Sequence, residues 1–127
     1  MAYVILGARG ASWRGADWVV RNVDEFFAGA LLRQPKGGPL GEAWSRALLE
    51  GRRIIDLSSL LDDEGARTSW YEAVRETLSE AMLEEFEMWH EPQRYPPYLN
   101  AIRDLGRLSH IDGNVLVTGL AERMLDA

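Results

Sequence analysis

Apolar positions recur along this chain at more than one spacing, and the changes of spacing mark its elements. Tyr3 to Leu6 is a short unbroken apolar run ending in glycine, which suits a buried strand. From Asp17 to about Arg33 the pattern changes. Val19/Val20, Val23, Phe26/Phe27 and Ala30/Leu31 return at three- and four-residue intervals, as on an amphipathic helix. Asp17 is its expected N-cap, and Pro35 with Gly37-Gly38-Pro39 closes it in a turn. Leu40, Trp44, Ala47 and Leu48 share one face of a short helix from Leu40 to Glu50. Gly51 then stands where a left-handed residue ends such a helix.

Arg52 to Leu61 fits a strand face and a helix face equally well, and the β-branched pair Ile54-Ile55 tips it toward a short strand. Asp62 to Gly65 reads as a turn. Ser69 to Glu91 is the longest periodic stretch, about six turns of helix. It opens on Ser69-x-x-Glu72, the pattern of a reciprocal capping box. Tyr71, Val74, Leu78, Ala81, Met82 and Trp89 form its core stripe, with Trp70 and Met88 at the edge. Three prolines then fall between Glu91 and Tyr98, so this stretch is expected to be a stiff, partly polyproline strap over the core. Pro97 opens a further helix to about Leu108. Asp112 to Asn114 is a turn, Val115 to Thr118 a strand and Leu120 to Leu125 a closing helical segment. The expected fold is one α-rich α+β domain over residues 1–127: four or five helices with two or three short strands in a small sheet. An irregular helical bundle is the alternative.

Charge changes the meaning of the long helix. The chain of 127 residues carries a formal net charge of −6. Residues 72–91 hold seven acids and one cation, Arg75, so the rest of the chain sums to zero. On the helical wheel Glu72, Glu76, Glu80, Glu84, Glu87 and Glu91 share the face opposite the core stripe. Carboxylates four residues apart repel by a few tenths of a kcal/mol per pair. Leu83 projects into this face and Phe86 borders it, and apolar residues rimmed by charge are the usual form of an interface anchor. Glu85 falls within the apolar stripe, where a carboxylate must be paired, with Arg53 or Arg103 as expected partners, or must hold its proton.

Composition bounds the chemistry. The net negative charge argues against direct nucleic-acid binding, which needs a basic surface. With no cysteine there is neither a disulfide framework nor a thiolate metal site, which fits a cytoplasmic protein. No apolar run reaches the length of a membrane span, and the N-terminus lacks signal-peptide features. Gly7, Gly10 and Gly15 punctuate an expected loop after the first strand, but they match neither GxGxxG nor GxxxxGK[ST]. Arg9 and Arg14 would be the anion ligands of such a loop. Glu87 and His90 form an E-x-x-H pair of the kind used in di-iron bundles, but such a site needs two of these pairs, and the other histidine, His110, has Arg107 three residues before it. Ser109-His110-x-Asp112 are neighbours in sequence, whereas a catalytic triad converges through the fold.

No catalytic residue, metal site or cofactor is assigned, and the sequence favours a non-enzymatic role. The expectation is an acidic interaction module for a basic protein partner, of the bacterial immunity or antitoxin type or a DNA-mimic inhibitor of a nuclease or toxin. Its contact residues would be Glu72, Glu76, Glu80, Leu83, Glu84, Phe86 and Glu87. The alternative is a small enzyme or anion- or nucleotide-binding domain using the Gly7–Gly15 loop or a buried Glu85. A subunit of a larger assembly, or a homodimer, through the tryptophans and the Pro–Tyr strap is a third reading.

Overall fold

The computed structural model describes residues 2–83 and 92–109. The expected strand 115–118, the closing helix 120–125 and the later half of the acidic stretch lie outside them. The fold is α-rich α+β, with four α-helices and a three-stranded mixed sheet among the described residues. The strands are β1 (Ala2–Leu6), β2 (Ser12–Ala16) and β3 (Ile54–Asp56). The helices are α1 (Asp17–Leu32), α2 (Gly38–Leu49), α3 (Glu64–Met82) and α4 (Tyr95–Leu105). In the sheet β1 is central, antiparallel to β2 and parallel to β3. Register aligns Trp13, Ile5 and Ile55 across the three strands, and all three side chains are buried. Period-two alternation thus gives the sheet one core-facing row.

The sequence reading missed β2. The expected loop from Gly7 to Gly15 is a hairpin: a 3-10 turn over Ala8–Gly10, then a strand. Arg9 (φ 53°) and Gly10 (φ 80°) supply the consecutive left-handed residues that reverse the chain. β2 presents a single large inward residue, Trp13, so it carries little periodic signal. Gly15 is required for a different reason. The Trp13 indole lies across it, 2.0 Å from where a Cβ would be.

The core is built on aromatic edges. Phe27 of α1 meets Trp44 of α2 at 5.0 Å between centroids and Trp70 of α3 at 4.8 Å, both edge to face. Such pairs contribute about 0.5–1.5 kcal/mol each beyond their buried area. Each buried indole N–H finds an acceptor: Trp44 donates to Asp24 Oδ1 at 2.7 Å, and Trp70 to the Leu105 carbonyl at 2.7 Å. Trp13 donates to the Ala101 carbonyl at 3.2 Å, fastening β2 to α4.

Several helix starts differ from expectation. Asp17 is the first helical residue of α1, and Ala16 occupies the N-cap position without a side-chain bond. The Asp17 carboxylate instead accepts from Arg53 at 2.7 Å and pairs with Arg21 at 2.8 Å, tying the helix start to the approach of β3. α3 begins five residues before Ser69. Asp63, placed in the expected turn, is its N-cap and accepts the Ala66 N–H at 2.9 Å. Ser69 therefore forms no capping box. It is buried inside the helix, and its hydroxyl accepts the Lys36 N–H at 3.0 Å. The Pro–Tyr strap does pack over the core, but as helix. Pro96 and Pro97 fall in the first turn of α4, where a missing N–H costs nothing. Tyr98 is fully buried, and its hydroxyl donates to the Asn22 carbonyl at 3.3 Å. α4 ends at Leu105 and a 3-10 turn continues to Ser109. The expected β3 and α2 are present, and Gly51 has φ 71° after α2 as foreseen.

Two predictions follow from these contacts. Thr77 is fully buried, and its hydroxyl has no hydrogen-bond partner among the described residues. Thr77→Val should raise unfolding stability by about 1 kcal/mol, read as a higher urea midpoint at unchanged m-value. The Arg53 hydrogen bond holds the Asp17 carboxyl below its ordinary pKa. A depressed folded-state pKa means that the unfolded chain binds the proton more readily. This contribution is present above the ordinary carboxylate range and is lost as pH falls through the folded value. Asp17→Asn should therefore be less stable than wild type at neutral pH and converge with it in acid, in thermal melts across pH.

Candidate functional site

The acidic face of α3 emerges from a helix whose buried side is wider than the wheel suggested. Ala66, Ser69, Trp70, Ala73 and Thr77 are buried with Tyr71, Val74, Leu78 and Ala81. Glu72, Glu76 and Glu80 remain on the outer side, and their situations differ. Arg33, just past the end of α1, donates its Nε to Glu76 Oε1 at 2.7 Å, and a second guanidinium nitrogen contacts the same oxygen. Gln34 donates to the other carboxylate oxygen at 3.3 Å. Glu76 is thus an internal tether between α1 and α3, with its side chain about one-third exposed. Glu72 lies 3.7 Å from Arg75, a loose contact one turn along. Glu80 is exposed and has no cation within ion-pair distance among the described residues.

Glu80 also stands in the last turn of α3, which contains no basic residue. A helix C-terminus carries the negative end of the backbone dipole, so an acid there adds to a potential already negative. Leu83 follows as the C-cap, with its side chain 78% exposed. The stripe is therefore not uniform. Its first half is partly neutralised from within the fold, and its described end combines a free carboxylate, an uncompensated dipole and an exposed leucine. Glu84, Glu85, Phe86 and Glu87 lie outside the described residues. Of the partners expected for Glu85, Arg53 is bonded to Asp17.

The glycine-punctuated stretch is a hairpin rather than the loop expected. Arg9 sits in the hairpin turn and Arg14 on β2. Arg14 instead lines an open cleft of about 410 Å³ between β2 and α4, whose other wall carries Asn100, Asp104 and Arg107. Arg9 is not among its lining residues. Sequence reasoning found Arg14 but not its neighbours, because the two walls are far apart in the chain and meet through the fold, with Trp13 bonded to Ala101 across them. A smaller cavity of about 230 Å³ lies between α2 and β3, lined in part by Ala47, Arg52 and Ile54.

Among the described residues there is no group of three or more acidic or histidine side chains placed to hold a metal, and no helix long and apolar enough to cross a membrane. Neither protein-family models, curated proteins nor solved structures gave a match to this chain.

The different roles of Glu76 and Glu80 are separable by charge reversal. Glu76→Lys should lower stability by about 1 kcal/mol, since it places a cation against Arg33. Glu80→Lys should raise it by a few tenths of a kcal/mol, because a cation suits the helix C-terminus. Paired urea titrations at low salt would give opposite signs, and high salt should shrink both effects.

Proposed function

We propose that this protein is an acidic interaction module that occupies a basic surface on a partner protein, in the manner of an immunity protein, an antitoxin or a DNA-mimic inhibitor of a nuclease or toxin. The observation that carries this reading is the C-terminal end of α3. There an exposed leucine stands near a glutamate that has no cation partner among the described residues, at a helix end with no cation in its last turn. An apolar anchor within like charge gives a partner both a small buried contact and a long-range field. The field speeds encounter with a cationic protein and rejects anionic ones, including nucleic acid.

The internal pairing narrows the contact surface. Glu76 is committed to Arg33, and Glu72 has Arg75 close by. The partner-binding residues of this proposal are therefore centred on Glu80 and Leu83 and continue to Glu84, Phe86 and Glu87, with Glu72 and Glu76 contributing field rather than direct contact. No catalysis, cofactor or metal enters the reading, and it places both partners in the cytoplasm.

The test is affinity capture with quantitative identification of bound proteins, comparing wild type with Leu83→Asp and with Glu80→Lys/Glu84→Lys. The expected result is capture of a strongly basic protein that Leu83→Asp weakens at all salt concentrations. The charge reversals should weaken it most at low salt. A set of bound proteins unchanged by both variants, with folding intact, would sink the proposal.

A further inference from the structure

We propose that the cleft between β2 and α4 binds a small phosphate-bearing molecule. The argument begins with the arginines. At least half of the twelve described guanidinium groups are committed to close partners. Arg21, Arg33, Arg46, Arg52 and Arg53 each hold a carboxylate at hydrogen-bonding distance, and Arg67 is bonded to the carbonyls of Leu61 and Asp62. Arg14 has no such partner among the described residues, and Arg107 reaches an acid only at 3.6 Å, with its side chain 65% exposed. These two loosely engaged arginines line the same cleft from opposite walls.

The local charge has the sign an anion needs. Two arginines, Arg14 and Arg107, line the cleft with a single acid, Asp104. A positive excess thus sits on a chain whose net charge is −6. Asp104 is itself incompletely served. Its Oδ1 and the Nε of Arg103 are both buried, 3.8 Å apart, and neither has a hydrogen-bond partner among the described residues. Ser12 and Asn100, exposed on the two walls, add neutral donors. Guanidinium groups together with hydroxyl and amide donors are the usual means of binding a tetrahedral oxyanion.

The walls are also fixed in advance. Trp13 floors the cleft, buried, with its indole N–H bonded to Ala101 on the α4 side. A ligand need not order the walls in order to bind, which lowers the entropic cost of association. A cleft of about 410 Å³ accommodates more than a bare phosphate, within the size range of small-ligand sites. An organic phosphate is therefore the preferred occupant. The site shares no residue with the α3 surface, so the two proposals stand or fall separately.

The experiment is a ligand titration of the full chain followed by amide and indole NMR shifts, with inorganic phosphate and adenosine monophosphate as probes and sodium chloride matched in ionic strength as control. The expected result is saturable shifts at Trp13, Arg14, Asn100 and Arg107, tighter for the organic phosphate than for phosphate alone. Arg14→Gln/Arg107→Gln should weaken both by at least about tenfold. Equal binding of the two probes would assign the cleft to free phosphate and overturn the organic-ligand preference. Shifts reproduced by sodium chloride, shifts mapping elsewhere, or binding retained in the double variant would overturn the site. Both arginines are exposed, and matched ligand-free melting curves for wild type and variant establish that any loss is not unfolding.

Discussion

Burying an indole obliges the fold to supply an acceptor for its N–H, and this chain meets that obligation repeatedly. Trp44 reaches from α2 to Asp24 on α1, Trp70 from α3 to the end of α4, and Trp13 from β2 to the middle of α4. An unmet N–H in such a place would cost about 1–3 kcal/mol. Each bond therefore does more than fill space, because it fixes how far one element slides along its neighbour. The nonpolar contacts around Phe27 are tolerant of small shifts, whereas these directional bonds are not. The relative placement of sheet and helices follows from them. So does the β2–α4 cleft, whose two walls are joined by one of these bonds.

How much of this could be read from residues alone depended on whether the signal was periodic. α1 and α2 bury one stripe each, and both were legible from their apolar spacing. α3 was found but begun too late. Ser69 and Glu72 satisfy the local pattern of a capping box, and nothing in the spacing reveals that Asp63 makes the better cap while Ser69 is needed inside to receive Lys36. The proline-rich stretch was judged by what proline forbids in a helix interior. At Pro96 and Pro97 it acts in the first turn, where the same chemistry is permissive. β2 was invisible because an edge strand with one buried side chain alternates too weakly to stand out from a glycine-rich turn.

The surface was legible to a different degree. The concentration of charge in residues 72–91 is a property of sequence and needed no structure. Which carboxylates are paired within the fold was not legible, since it depends on Arg33 arriving beside Glu76 from the far end of another helix. The acidic stripe is thus partly structural cement and partly open field. The arginines show the converse. Their excess in the β2–α4 cleft is hidden in the composition, where acids outnumber bases, and becomes visible only when residues distant in the chain are brought to one place.

The Trp44–Trp70 pair has an optical consequence. The two rings are fully buried, 6.4 Å apart and inclined by 67°. Chromophores this close and this inclined share their electronic excitation, and the shared transition rotates polarised light with a sign set by their mutual geometry. The pair therefore contributes a band to the ultraviolet circular dichroism that arises from side-chain packing and overlaps the backbone signal. The molecule carries its own spectroscopic gauge of whether α2 and α3 are correctly seated. Helix content calculated from such a spectrum would have to be corrected for two tryptophans.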